Sequence, residues 1–99
     1  MKALSKDEII NYLAINLSQW TFNEPVIKRD FKFKTFVEAF SFMTSVALEA
    51  EKMDHHPDWS NGYNKVSIAL TTHSDNGITQ QDFILANKIN LIYQTYEKS

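Results

Sequence analysis

The sequence predicts an α+β domain, with a four-stranded antiparallel sheet, three helices packed on one of its faces, and the order α-β-β-α-β-β-α. Three observations carry this. Apolar residues recur with a helical period in three separate stretches. Between them lie segments in which apolar and polar residues alternate, as in half-buried strands. The strands are linked by short turns or by a helix, and one face of the alternating segments is polar, which favours an antiparallel sheet covered on one side. At 99 residues the chain holds one hydrophobic core, so residues 1–99 are expected to form a single domain.

The elements follow in order. Ser5-Lys6-Asp7-Glu8 has the Ser-x-x-Glu form of a capping box, and Ile9, Ile10 and Leu13 continue it as a short amphipathic helix over about residues 6–15. Trp20 and Phe22 occupy alternate positions, so the stretch from Ser18 to Phe22 reads as the first strand. Asn23-Glu24-Pro25 is a turn. Val26 to Lys34 then alternates, with Ile27, Arg29, Phe31 and Phe33 on one parity and Lys28, Asp30 and Lys32 on the other. Thr35-Phe36-Val37-Glu38 is a second capping box, opening a helix that should run to about Met53. In it Phe36, Ala39, Phe40, Phe42, Met43, Val46, Ala47, Ala50 and Met53 form one arc of about 160°. Such an arc is wider than one sheet contact needs, so part of this helix is expected to meet a partner subunit.

Residues 54–64 read as irregular, with Pro57 opposing helix at His56 and Asn61-Gly62 as a tight-turn signal. The third strand, which lies here, is the weakest of the four. The clearest strand follows, with Val66, Ile68, Leu70 and Thr72 facing one way and His73 just beyond. Asp75-Asn76-Gly77 is a turn. Thr79-Gln80-Gln81-Asp82 opens the last helix, where Leu85, Ile89, Ile92 and Tyr96 share a face.

Composition narrows the function. The absence of cysteine removes disulfides, thiol nucleophiles and cysteine-based metal sites, and fits a reducing cytoplasm. The longest apolar run is four residues, so no membrane span is expected. A net charge of −2 argues against a strong nucleic-acid footprint.

All three histidines fall between positions 55 and 73, among Glu51, Asp54, Asp58, Trp59, Asp75 and Asp82. Each has a plain structural reading. His55-His56 beside Pro57 can be ordinary loop, His73 can bond a turn, Trp59 can be core, Glu51 a boundary residue, and Asp82 merely the fourth residue of a cap. Three chemistries compete for the histidines. A three-histidine zinc site is disfavoured by the adjacent pair and by the lack of His-x-x-x-His spacing. A serine hydrolase lacks a nucleophile elbow. General acid–base work needs only imidazoles of near-neutral pKa around a small substrate.

The run Glu51-Lys-Met-Asp54-His55-His56-Pro57-Asp-Trp59-Ser-Asn-Gly-Tyr63-Asn64, then Thr71-Thr72-His73, then Thr79-Gln-Gln-Asp82, resembles the signature of the pterin-4a-carbinolamine dehydratases. Trp20, Arg29-Asp30-Phe31-Lys32-Phe33, Phe42-Met43 and Val46-Ala47 extend the likeness over roughly residues 18–92. The turns at Asn61-Gly62-Tyr63 and Asp75-Asn76-Gly77 depart from the family's usual wording. The resemblance implies dehydration of 4a-hydroxytetrahydropterins, the products of pterin-dependent aromatic amino-acid hydroxylases, to quinonoid dihydropterins in tetrahydrobiopterin recycling. It implies no cofactor, no metal and a homodimer or homotetramer, while the net charge and the short apolar runs speak against direct contact with nucleic acid or membrane. It assigns His55 and His73 to acid–base work, His56 to fixing the pterin, and Glu51, Asp54, Trp59, Thr72 and Asp82 to the substrate site. Some animal members also bind a homeodomain transcription factor, so a non-catalytic dimerisation or coactivator role of the same fold stands as the alternative.

Overall fold

A computed structural model describes residues 2–97. The helices are α1 (Lys6–Asn16), α2 (Phe36–Met53) and α3 (Gln80–Glu97). The strands are β1 (Thr21–Asn23), β2 (Val26–Lys32), β3 (Asp58–Gly62) and β4 (Lys65–Leu70), with a 3-10 turn at His73–Asp75. The sheet order is β1-β2-β4-β3 and every neighbouring pair is antiparallel. The expected architecture is the observed one.

Both expected N-terminal boxes shape their helices, though unequally. Ser5 and Glu8 exchange both bonds, Glu8 N–H to Ser5 Oγ at 3.1 Å and Ser5 N–H to Glu8 Oε1 at 2.8 Å. At α2 only half of the box forms. Thr35 Oγ1 accepts the Glu38 N–H at 3.1 Å, but the Glu38 carboxylate takes the N–H of Lys34, one residue further back.

Alternation sorts the sheet as expected. Ile27 and Phe31 of β2 and Val66, Ile68 and Leu70 of β4 are buried against Phe42, Val46 and Ala50 of α2 and Leu85 and Ile89 of α3. Lys28, Asp30, Lys32 and Lys65 face solvent on the uncovered side. Arg29 shares the inward parity, and the core accommodates it. Its Nη1 donates to Asn90 Oδ1 at 2.7 Å, and its guanidinium lies 4.6 Å from the Phe31 ring centre and 5.0 Å from that of Tyr93.

Two expectations are corrected. The first strand begins at Thr21 instead of Ser18. Trp20 is 2% exposed and its indole N–H donates to the same Asn90 Oδ1 at 2.9 Å, so this residue plugs the core and takes no part in the ladder. The segment 54–64 is not irregular throughout. β3 runs to Gly62, and the hairpin turns at Tyr63-Asn64, with Tyr63 at φ 50°. The Asn61 amide N–H group reaches the carbonyls of Tyr63 (3.2 Å) and Lys65 (2.9 Å) from within the strand, stapling the turn it was expected to occupy.

The α2 arc divides in two. Ala39, Phe42, Val46 and Ala50 are buried in the core. Phe36 and Phe40 are 50% and 59% exposed, and with Val37 and Leu48 they leave an apolar stripe in solvent.

Candidate active site

The ends of three elements converge on one place: the C-terminus of α2, the end of β4 and the N-terminus of α3. Asp54 closes α2 in the left-handed conformation, φ 51°, a cost that a non-glycine residue accepts only where the turn requires it. The N–H of His55 then bonds back to the Ala50 carbonyl at 3.0 Å. Pro57 prevents helix from resuming. His55 and His56 therefore leave the helix together while pointing to different surroundings. At the other side, Thr71 and Thr72 continue β4 inward, and His73 opens the 3-10 turn that the Thr72–Gly77 bridge closes.

His55 meets Asp82. Its Nε2 lies 2.6 Å from Asp82 Oδ1, with the histidine side chain 12% exposed and the aspartate fully buried. The other carboxylate oxygen is saturated by donors. Thr72 Oγ1 donates to Asp82 Oδ2 at 2.8 Å and the Thr79 N–H at 2.9 Å. Thr79 Oγ1 accepts the Gln81 N–H at 3.2 Å and lies 2.8 Å from Thr72 Oγ1. The hydroxyl protons therefore run from Thr79 to Thr72 to Asp82. A carboxylate in its ionised form only accepts, so in that form the ring offers Nε2–H to Asp82. Asp82 thus does two things at once: one oxygen caps α3, and the other fixes the tautomer of His55.

The other two histidines are paired in the open. His56 Nε2 lies 2.8 Å from Glu51 Oε1, with both side chains well exposed. The hydrogen bond to Glu51 holds the His56 pKa above its ordinary 6.5; partial desolvation opposes this, and the charges of Glu51 and Asp54 add to it. His73 Nε2 is 3.6 Å from Asp58 Oδ2, an exposed ion-pair distance beyond hydrogen-bond reach. Trp59 follows on β3, half-buried on the helix side of the sheet opposite Ile68.

Each expected site residue can now be placed. His55, Thr72 and Asp82 share one buried network, His56 pairs with Glu51, and Asp54 supplies the turn between these groups. Thr72 was expected to bind substrate, and its hydroxyl is committed to Asp82. Thr79, which is not among the expected site residues, joins this network through its hydroxyl and its N–H, and the Thr79-x-x-Asp82 spacing is its signal in the sequence. Among the described residues no group of three His, Asp or Glu side chains converges as metal ligands would, since each histidine turns to its own carboxylate.

A family model described as pterin 4 alpha carbinolamine dehydratase matches residues 2–92. The chain belongs to the pterin-4-alpha-carbinolamine dehydratase family. Within it, a provisionally named pterin-4-alpha-carbinolamine dehydratase of Mesorhizobium japonicum is 54% identical over 89 residues, covering 88% of this chain and 90% of that one. A provisionally named dehydratase of Prochlorococcus marinus strain NATL2A is 49% identical over 87 residues, 88% and 90% of the two chains. Among solved structures, a transcriptional coactivator/pterin dehydratase from Brucella melitensis superimposes with a TM-score of 0.87 at 45% identity, covering 92% of this chain and 98% of that one. A pterin dehydratase-like RuBisCO assembly factor of the alpha-carboxysome shares the fold alone, with a TM-score of 0.61 at 18% identity over 74% and 84% of the chains. Membership makes a pterin the implied substrate of the dehydratase fold. No helix among the described residues is long and apolar enough to cross a membrane.

Proposed function

We propose that this protein dehydrates 4a-hydroxytetrahydropterins to quinonoid dihydropterins by histidine acid–base catalysis. The observation that carries this reading is the buried His55–Asp82 pair, with its imidazole held at 2.6 Å from the carboxylate at the meeting point of the family motif. The substrate is a carbinolamine, with a hydroxyl on C4a beside the N5 amine. Hydroxide leaves poorly, so a proton is delivered to that oxygen as the N5 lone pair expels it as water. The resulting cation loses a ring proton to a base. In this reading His73 is the acid, His55 Nδ1 is the base, and the His56–Glu51 pair fixes the pterin ring, with Trp59 and Asp54 bordering it. Each positioned transfer contributes about 10²–10⁴-fold. The place of the reaction is the cytoplasmic recycling of tetrahydrobiopterin behind a pterin-dependent hydroxylase.

The test is a coupled assay in which a phenylalanine hydroxylase generates the 4a-hydroxypterin and ultraviolet absorbance follows its decay. Decay faster than the spontaneous rate, lost in His55→Ala, is the expected result. An unaccelerated decay with the folded wild-type protein overturns the reading.

A second reading rests on the exposed stripe of Phe36, Val37, Phe40 and Leu48 on α2. We propose that copies of the chain associate through it as a dimer or tetramer. The alternative of a purely non-catalytic interaction role uses the same stripe. Light scattering of Phe40→Glu should report a smaller particle than wild type. Full dehydratase activity in that variant favours catalysis as the primary role.

A further inference from the structure

The solvent face of the sheet carries a second cluster of polar groups, remote from the histidine network. The strand register lays it out in three rows. Across β2, β4 and β3 in turn the rows read Lys28–Ala69–Asp58, Asp30–Ser67–Ser60 and Lys32–Lys65–Gly62. Lys28 and the second and third rows line an open hollow of about 450 Å³.

The third row is electrostatically unbalanced. Lys32 and Lys65 are direct cross-strand partners, a position that brings side-chain stems within about 5 Å of each other. Like charges so placed repel. Among the described residues no carboxylate lies within 4 Å of the ammonium of either lysine, or of Lys28. The carboxylate nearest along the strand, Asp30, accepts the Ser67 hydroxyl at 2.7 Å. The third position of the row is Gly62, where a Cβ would meet nothing within 4 Å. The row therefore sets two cations beside open space with no carboxylate in ion-pair contact, and Asp30, one row away, is the single carboxylate among the described residues that lines the hollow.

We infer that this row binds the phosphate group of a small phosphorylated molecule. Ammonium groups are compact point charges that suit a tetrahedral polyanion approached from several directions. Lys28 extends the positive field along the hollow. The hollow is of ligand size, and a chain of net charge −2 lacks the broad basic surface that a nucleic-acid backbone needs.

Inorganic pyrophosphate is the probe, titrated against sodium chloride at matched ionic strength while thermal unfolding is followed. In wild type the midpoint should rise by about 4 °C or more at saturating pyrophosphate. The double variant Lys32→Ala/Lys65→Ala should lose the rise. Gly62→Glu, which places a carboxylate in the open position, should lose it too. No rise in wild type, or an equal rise in all three proteins, would overturn the assignment. None of these residues belongs to the histidine network, so the outcome is independent of the dehydratase reading.

Discussion

His55 and His56 are adjacent in the chain, and each bonds one carboxylate through Nε2. The first pair is buried, and its carboxylate has two further donors on the second oxygen. The second pair stands in solvent with no further partner holding the Glu51 carboxylate in place among the bonds described. The difference teaches what a hydrogen bond does in each setting. In the interior, where an unmade bond is expensive, the network dictates which ring nitrogen carries the proton and where the ring points. At the surface the same contact shifts a pKa while leaving geometry free, and salt screens it.

The largest test of this contrast is Asp82→Asn. The amide oxygen can still accept from Thr72 and the Thr79 N–H, while the amide nitrogen becomes a donor facing His55 and forces the other tautomer. Dehydration measured in the coupled assay should fall by roughly 10²-fold or more, with the thermal midpoint nearly unchanged. A rate near wild type would mean that the tautomer of His55 does not matter. Asp82→Ala should add a loss of stability, about 1–3 kcal/mol by denaturant titration, because buried donors on Thr72 and Thr79 lose their acceptor. Next in size is Thr72→Val, expected to slow dehydration roughly tenfold through a loosened Asp82, with Thr72→Ser restoring the rate. A Val variant indistinguishable from wild type would remove Thr72 from the positioning network.

The smallest effect belongs to the exposed pair. Glu51→Gln should bring the His56 titration midpoint back down toward 6.5, read by NMR of the imidazole protons, because the charge is gone and the ring N–H meets only a weaker, neutral acceptor. The sign for stability follows from that raised value. Folding favours the protonated ring, so the stabilisation is complete below the unfolded pKa near 6.5 and fades as pH rises through the higher folded value. No midpoint change on substitution would show that Glu51 does not hold His56.

The fold was legible because its signals were local and consistent. Ser5 and Glu8, the alternation at Ile27–Phe33 and Val66–Leu70, and the stop at Asp54–Pro57 each point to one structure. The errors arose where a side chain acts at a distance. Trp20 looked like strand, but its N–H is claimed by Asn90, seventy residues on. Asn61 beside Gly62 has the wording of a turn, but its amide serves the turn from the strand beside it. The motif named the candidate residues, but spacing does not reveal that His55 faces Asp82 while His56 faces Glu51. Nor does it show Thr79 as a member, since its hydroxyl matters only once Thr72 is folded against it.

Asp82 leaves a mark on how such a chain can change over generations. Because one side chain both starts α3 and sets His55, a lineage cannot discard the second task by random loss without also weakening its last helix. Retirement of the enzyme with retention of the fold has a narrow exit, through a residue that still caps but no longer accepts from an imidazole. Asparagine at this position is therefore the footprint to look for in relatives that have kept the scaffold and taken up other work.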